Sequence, residues 1–362
     1  MTQRVFNFSA GPAVLPLEVL QHAREDLLAL PGVGSSILEI SHRSGTFNEI
    51  LDAAEANLRQ LLGIPDNYRI VFLQGGSRLQ FSMIPMNLLD GKSADYITTG
   101  NWGEKAFQEA RREGPVRLAW DGKSSSYNCV PANDELDLDA EALYVYFTSN
   151  ETIQGVQFSK EPQTGSVPLV CDASSDFLCR PVDIDRYGLL YACAQKNAGP
   201  AGVTVVIIRD DLVPEPDEKM AGMLSYQNHI KNKSCFNTPP TFGVYIVKLV
   251  TEWLIHTVGG LEKMHALNRQ KAELLYSAID TSDGFYTPHA KLDCRSLMNV
   301  TFQLSNADLT PQFIEQAKER DLCNLKGHRS VGGIRASIYN AMPREGVERL
   351  AEFMDAFRSA NR

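Results

Sequence analysis

The chain has 362 residues, 43% hydrophobic and 22% charged, with a formal net charge of -9. That length exceeds one small core, so a large and a smaller domain are expected, and the acidic balance argues against a broad nucleic-acid footprint. Seven cysteines without a Cys-x-x-Cys pair fit a reducing cytosol and neither a disulfide framework nor a zinc site; with no apolar run of signal or membrane length, a soluble cytoplasmic protein is expected.

Residues 6–12 read as a turn-rich strap. From Pro16 a helical pattern places Leu17, Leu20, Ala23, Leu27 and Leu28 on one face. A second helix period follows Phe47, with Ile50, Leu51, Ala54, Leu58 and Leu61, and stops at Gly63 and Pro65. Strands are expected at 69–73, 96–98, 116–118, 143–148 and 167–171, with helices after Gly75 and over 102–112. The polar stretch 121–136 has little periodicity and reads as a surface excursion.

A continuous apolar run, 189–194, reads as a buried strand ending at Gln195 and Lys196; Asn197, Gly199, Pro200 and Gly202 then force a turn into a second β-rich run, 203–208. Strands alternating with helices over this part predict a mostly parallel sheet covered by helices on both faces. A long helix over 242–257 closes that unit, and a second, 263–279, bridges to the C-terminal one. There a strand at 298–304, a helix over 311–320 capped by Thr310, a strand at 333–338 and a helix over 344–357 predict a small α+β domain. The expected class is α/β, with a large domain over 17–262, a small C-terminal α+β domain over 263–362 and a strap over 1–16 that joins them.

Several chemistries lack their motif. Gly32-Val33-Gly34 is followed by Ile37 where a dinucleotide fingerprint needs its third glycine. The Gly-Lys-Ser triplets at 91 and 122 have Met86 and Arg117 where a phosphate loop needs glycine. No His-x-x-x-His supports a metal, and Gly-x-Ser-x-Gly is absent.

What remains is a set of polar residues at predicted strand ends, where ligands of open α/β sheets bind. Lys196 is either a surface lysine opening a hairpin turn, which its own segment favours, or an amine that has lost solvent and gained nucleophilicity. Gly75-Gly76-Ser77-Arg78 follows a strand and opens a helix, suiting an anion or an ordinary turn. Asp172 ends a strand, either as a helix cap or as partner to a protonated ring nitrogen. Trp102 can stack on a flat ring or fill the core, and Thr152 lies in a polar loop. Taken together, they supply what pyridoxal phosphate needs: an imine partner, a counter-charge, a phosphate cup and a stacking face.

The segments Phe6-Asn7-Phe8-Ser9-Ala10-Gly11-Pro12, Ser41-His42-Arg43, Gly100-Asn101-Trp102, Asn150-Glu151-Thr152, Ala194-Gln195-Lys196-Asn197-Ala198-Gly199-Pro200, Phe236-Asn237-Thr238-Pro239-Pro240 and Lys326-Gly327-His328-Arg329 carry a closer likeness. With Arg335-Ala336-Ser337-Ile338-Tyr339-Asn340 they make the chain resemble, from end to end, the phosphoserine aminotransferase family of class-V, fold-type-I pyridoxal-phosphate enzymes. The resemblance implies transamination between L-glutamate and 3-phosphonooxypyruvate in serine biosynthesis, with a related step in pyridoxine biosynthesis. It implies pyridoxal 5'-phosphate held covalently by Lys196, with Asp172 on the pyridinium nitrogen, Trp102 on the ring face and Thr152 on the phenolic oxygen. It implies a phosphate cup of Ser77, Arg78 and Gln195, with Asn237 and Thr238 reaching in from the other subunit of a homodimer. By the same likeness Arg335 takes the substrate α-carboxylate, while His42, Arg43, His328 and Arg329 take the distal anion. Two departures stand out: Ser77 where many relatives have Gly or Ala, and Ala173 where a larger residue is common.

A cysteine desulfurase or another small-substrate aminotransferase of the same fold is the nearest alternative; against the desulfurase, Gln195 stands where such enzymes carry a histidine before the lysine. A cofactor-free Schiff-base lyase and a silent binding module are alternatives of other classes.

Overall fold

Phe6–Asn7 (β1) pairs in parallel with Leu322–Cys323 (β13), so the N-terminal strap is stitched to the far end of the chain. The computed structural model describes residues 4–215 and 219–361. In chain order the elements of the first part are α1 (Leu17–Asp26), α2 (Gly45–Leu62), β2 (Tyr68–Leu73), α3 (Gly76–Leu88), β3 (Ala94–Thr98), α4 (Asn101–Glu113) and β4 (Val116–Asp121). They continue through β5 (Val145–Thr148), β6 (Asn150–Glu151), β7 (Val156–Gln157), β8 (Leu169–Asp172), β9 (Tyr187–Cys193), β10 (Thr204–Arg209), α5 (Tyr226–Lys231) and α6 (Thr241–Glu252).

Seven of these strands form one sheet in the order β2-β10-β9-β8-β5-β3-β4. From β9 across to β4 every pairing is parallel, and only β10 runs against its neighbours. Successive residues of a strand face opposite sides, and here both sides are buried. Val205 and Ile207 join a core with Phe47, Leu51 and Leu58 of α2 and Val247 of α6. Val206 and Ile208 join another with Phe81 and Ile84 of α3 and Ala106 and Ala110 of α4. A sheet covered on both faces yields continuous apolar runs, which is why the strand ending near Lys196 is legible from sequence.

The rest of the chain comprises α7 (Leu261–Asp280), β11 (Tyr286–Pro288), β12 (Asn299–Leu304), α8 (Thr310–Lys318), β14 (Ile334–Ser337) and α9 (Arg344–Ala360). The strands β11, β12 and β14 form an antiparallel sheet. Its core draws Leu275 from α7, Phe302 from β12, Phe313 from α8 and Phe353 and Phe357 from α9, with Phe8 of the strap.

The structure corrects three local expectations. In α1 the buried stripe is Val19, Ala23 and Asp26, whereas Leu17 is 50% exposed and Leu28, just past the helix, 84% exposed. Asp26 earns its place inside through the Tyr245 hydroxyl, which donates to it at 2.5 Å. Thr310 is the first helical residue of α8 and not its cap; the cap lies at Leu309, the last residue of a 3-10 turn whose start Asn306 caps by accepting from Asp308 N. The helix expected over 242–257 is α-helical to Glu252 and ends in a π-helical turn, Trp253–Val258.

Candidate active site

The C-terminal ends of β3, β5, β8 and β9 open on one cavity of about 270 Å³. Its lining includes Ser77, Arg78, Trp102, Thr152, Asp172, Gln195 and Lys196, seven residues singled out from sequence. The parallel sheet explains their meeting: strands of the same direction present their ends, and the turns that follow them, on the same edge.

Lys196 is half-buried, two residues past the last buried position of the β9 run, and its Nζ donates to Thr152 Oγ1 at 2.6 Å. Burial lowers its amine below the usual lysine range, and the nearby Asp172, Cys193 and Glu151 oppose that shift. Asp172 is buried at the end of β8, and its Oδ1 accepts from Ser174 N at 2.9 Å. Gly75 and Gly76, at φ 92° and 65°, occupy the left-handed region that glycine enters without strain. Their turn points the N-terminus of α3 into the cavity, where Ser77 Oγ lies 3.0 Å from Ser174 Oγ and 2.9 Å from Cys193 Sγ. A helix N-terminus with free amides is a ready anion site.

Trp102, on the first turn of α4, has Lys105 Nζ 4.4 Å and Lys196 Nζ 5.9 Å from its ring centroid. Three buried polar atoms of the lining, Trp102 Nε1, Thr148 Oγ1 and Asn150 Oδ1, have no protein partner among the described residues. Buried polar groups are normally satisfied, so the cavity is built for a polar occupant. Its carboxylate, amine, helix terminus and indole face suit an aromatic ring that carries a basic nitrogen, a carbonyl and a phosphate.

Arg335 reaches in from β14, donating to Thr152 O at 3.3 Å, and burial lowers its guanidinium from the usual range. His328 lies in the same electrostatic neighbourhood: after burial, Arg335, Lys105 and Arg329 hold its imidazole below the ordinary value. Seven expected residues are absent from this lining: Arg335, His328 and Arg329 of the C-terminal part, and four more from the first part of the chain. His42 and Arg43 lie on the loop before α2, with Arg43 exposed. Asn237 donates to Gln74 Oε1 at 2.9 Å and lines a different, smaller cavity, and Thr238 follows it outside the site.

Glu151 is a functional candidate that nothing in the sequence pattern marks out beyond its place in a polar loop. It is fully buried and accepts from Trp102 N at 3.0 Å and from Gly103 N at 2.8 Å. Burial pushes its carboxyl up to about 7, against the two amides and Lys196, with Asp172 adding to the rise. Ser174 and Cys193 likewise join the lining unannounced, because their contacts are set by register across the sheet.

Comparison with known proteins bears on this geometry. The aminotransferase class-V family model matches residues 5–350. A phosphoserine aminotransferase of Rhodopirellula baltica is 56% identical over 99% of this chain and 96% of its own. The structure of phosphoserine aminotransferase from Bacillus circulans subsp. alkalophilus superposes with a TM-score of 0.97 at 48% identity, covering 100% of both chains. A pyridoxal-phosphate-bound phosphoserine aminotransferase from Trichomonas vaginalis gives 0.91 at 40% identity, covering 97% of this chain and 100% of its own.

Proposed function

The chain belongs to the class-V aminotransferase family, and from that premise we propose that it is a phosphoserine aminotransferase of serine biosynthesis. It exchanges the amino group of L-glutamate for the keto oxygen of 3-phosphonooxypyruvate, reversibly giving 2-oxoglutarate and O-phospho-L-serine. The observation that carries this reading is one cavity holding a desolvated amine, a buried carboxylate, an indole and a glycine-opened helix start. The same enzyme class acts on a phosphorylated threonine precursor in pyridoxine formation, a second substrate for this site.

When bound, pyridoxal 5'-phosphate supplies a carbonyl that takes up the amino group and a ring that accepts the electrons of the Cα–H bond. Lys196 would hold the cofactor covalently, and as a free amine it would move the proton from substrate Cα. The low dielectric around it disfavours the ammonium form, and a neutral amine is what both tasks require. Asp172 keeps the ring nitrogen protonated, with one oxygen already oriented by Ser174 N. Trp102 covers the ring face, and Thr152 Oγ1, now accepting from Lys196, serves the phenolic oxygen.

Ser77 and Arg78, at the start of α3, and Gln195 form the phosphate cup. Arg335 takes the α-carboxylate common to both substrates, since guanidinium binds carboxylate in a two-pronged fashion. His328 and Arg329 receive the distal anion, a carboxylate in one half-reaction and a phosphate in the other. The position of Asn237 in a different cavity, with Thr238 beside it, supports a homodimer in which these two residues complete the partner's phosphate cup, while His42 and Arg43 belong with His328 and Arg329 in the distal-anion set. Leu17, Leu28 and Phe236 are large apolar side chains left exposed in the single chain, as a pairing surface requires. The free cysteines support a cytoplasmic location, and the division at 262 and 263 separates the unit carrying Lys196 from the one carrying Arg335.

The test is direct. Purified protein supplied with glutamate and 3-phosphonooxypyruvate should form 2-oxoglutarate and phosphoserine in equal amounts. Equal rates with pyruvate as acceptor would overturn the substrate assignment.

A further inference from the structure

The first turn of α4 has an unusual anchor. Its cap position is Gly100, which offers no side-chain acceptor. Glu151, 49 places later in the chain than Trp102, fills that role, with Trp102 N donating to its Oε2 and Gly103 N to its Oε1. A side chain at Gly100 would run into Glu151, so the glycine keeps the space for this carboxylate. Gln154 adds to the grip, accepting from Asn101 N at 3.4 Å and donating to Asn101 Oδ1.

Burying a carboxylate is expensive, and an ordinary Ser or Asp at a cap position usually satisfies such amides from within its own helix. What the buried arrangement adds is a tie between two walls of the cavity. Glu151 is bonded through its side chain to Trp102 and covalently to Thr152, whose hydroxyl meets Lys196 and whose carbonyl meets Arg335. The position of the indole is thereby referred to the groups beneath it.

We propose that Glu151 is a positioning residue of amino transfer, its two carboxylate oxygens clamping Trp102 at a fixed height over Thr152 and Lys196. This rests on the functional reading above, in which Trp102 covers the cofactor ring. The clamp needs both oxygens as acceptors. A glutamine, or a protonated glutamic acid, turns a donor toward one of the two N–H groups and loses that bond. The groups facing Glu151 are Asp172 from β8, Lys196 from the turn after β9, Lys105 on α4, Tyr127 from the 121–136 excursion and Tyr146 on β5. Lys196 and Lys105 favour its charge and Asp172 opposes it, so the clamp is weakest on the acid side of neutrality.

Glu151→Gln tests the clamp by isosteric exchange. Misplacement by about 1 Å near a reacting centre lowers rates roughly 100-fold, so kcat should fall by about 10- to 100-fold at full cofactor occupancy, with KM changing much less. The near-ultraviolet circular dichroism of Trp102 in the cofactor-free protein, assigned by difference against Trp102→Phe, should weaken, and wild-type protein should show the same weakening on acidification. An unchanged Trp102 signal and unchanged kcat, with only a lowered melting temperature, overturn the proposal. Should Glu151→Gln fail to fold, Glu151→Asp, which keeps the charge and shortens the reach, is held to the same readouts. The dichroism of the cofactor-free protein needs no turnover, so a failure of the functional reading, seen as no transamination by wild type, is distinguishable from a failure of the clamp.

Discussion

Two lysines taken out of bulk water have opposite surroundings. Lys196, at the mouth of the cavity, has one hydrogen-bond partner among the described residues, a hydroxyl, and carboxylates nearby at Asp172 and Glu151. Lys271, on α7 and 3% exposed, donates to the carbonyls of Ile338, Tyr339, Asn340 and Met342 at 3.0, 2.8, 3.3 and 3.2 Å. Burial lowers both amines, Lys271 to about 7. Desolvation therefore does not by itself make a lysine reactive. An amine encircled by carbonyls has nowhere to aim a lone pair and is held as a donor, whereas Lys196 faces open space and a hydroxyl that can also donate.

The second lysine also sets the first one's surroundings. The segment it gathers follows β14, which carries Arg335, and Asn340 N in that segment donates to Asn197 Oδ1 at 2.9 Å, one residue beyond Lys196. Asn268 of α7 joins the same knot through Asn340 Oδ1 at 2.8 Å. Chemistry is assigned to one region and alignment to the other.

The largest effect should come from Lys196→Ala. In the proposed roles of covalent holder and proton carrier, its loss should lower glutamate-dependent formation of 2-oxoglutarate by a factor on the order of 10⁴ or more. Chemical denaturation should show little loss of stability, since a desolvated amine is removed along with its single bond. Lys271→Met is the mirror image. Four carbonyls would lose their donor, so unfolding free energy should fall by about 3 kcal/mol. Below the lowered melting point kcat should stay within a few-fold of wild type. If Lys271→Met were as stable as wild type and inactive, the division between the regions would be wrong.

How far each region is legible from sequence follows from the same contrast. Lys196, Asp172 and Trp102 stand at ends of apolar runs, and a parallel sheet brings such ends to one edge, so residues far apart in the chain can be expected to meet. Lys271 sits in an amphipathic helix among other charged residues, and only the fold shows four carbonyls converging on it. Glu151 is hidden for a related reason, because its partners are backbone amides that any sequence would have. The α1 helix shows the reverse failure: its leucines make an apolar stripe, yet within one chain that stripe faces outward. Periodicity reports that a face will be covered and is silent on what covers it.

Arg335 belongs to both regions, since its strand is held by the Lys271 knot while its guanidinium reaches the Thr152 carbonyl. Arg335→Ala removes the charge-assisted pair proposed with the α-carboxylate, worth about 1.5–3 kcal/mol, and so should raise KM roughly 10- to 100-fold for glutamate and for 3-phosphonooxypyruvate alike. A rise for only one of them would move Arg335 from the shared carboxylate to the distal anion.

The last expected effect separates the lysines by pH. Lys271 has its folded value pushed down to about 7, against about 10.4 in an unfolded chain. Between those values the unfolded chain binds the proton and the folded protein releases it, so stability rises with pH. Its contribution is fully present above about 10.4 and is lost as pH falls toward 7, with a slope of at most about 1.4 kcal/mol per pH unit. Denaturation of cofactor-free protein from pH 7 to 10 should show this rise in wild type and a flatter profile in Lys271→Met. The Lys196→Ala profile should flatten as well, because its amine is also lowered, but without the loss at neutral pH that orphaned carbonyls bring. Equal losses at neutral pH in both variants would mean that the two lysines differ in position only, and not in what their partners ask of them.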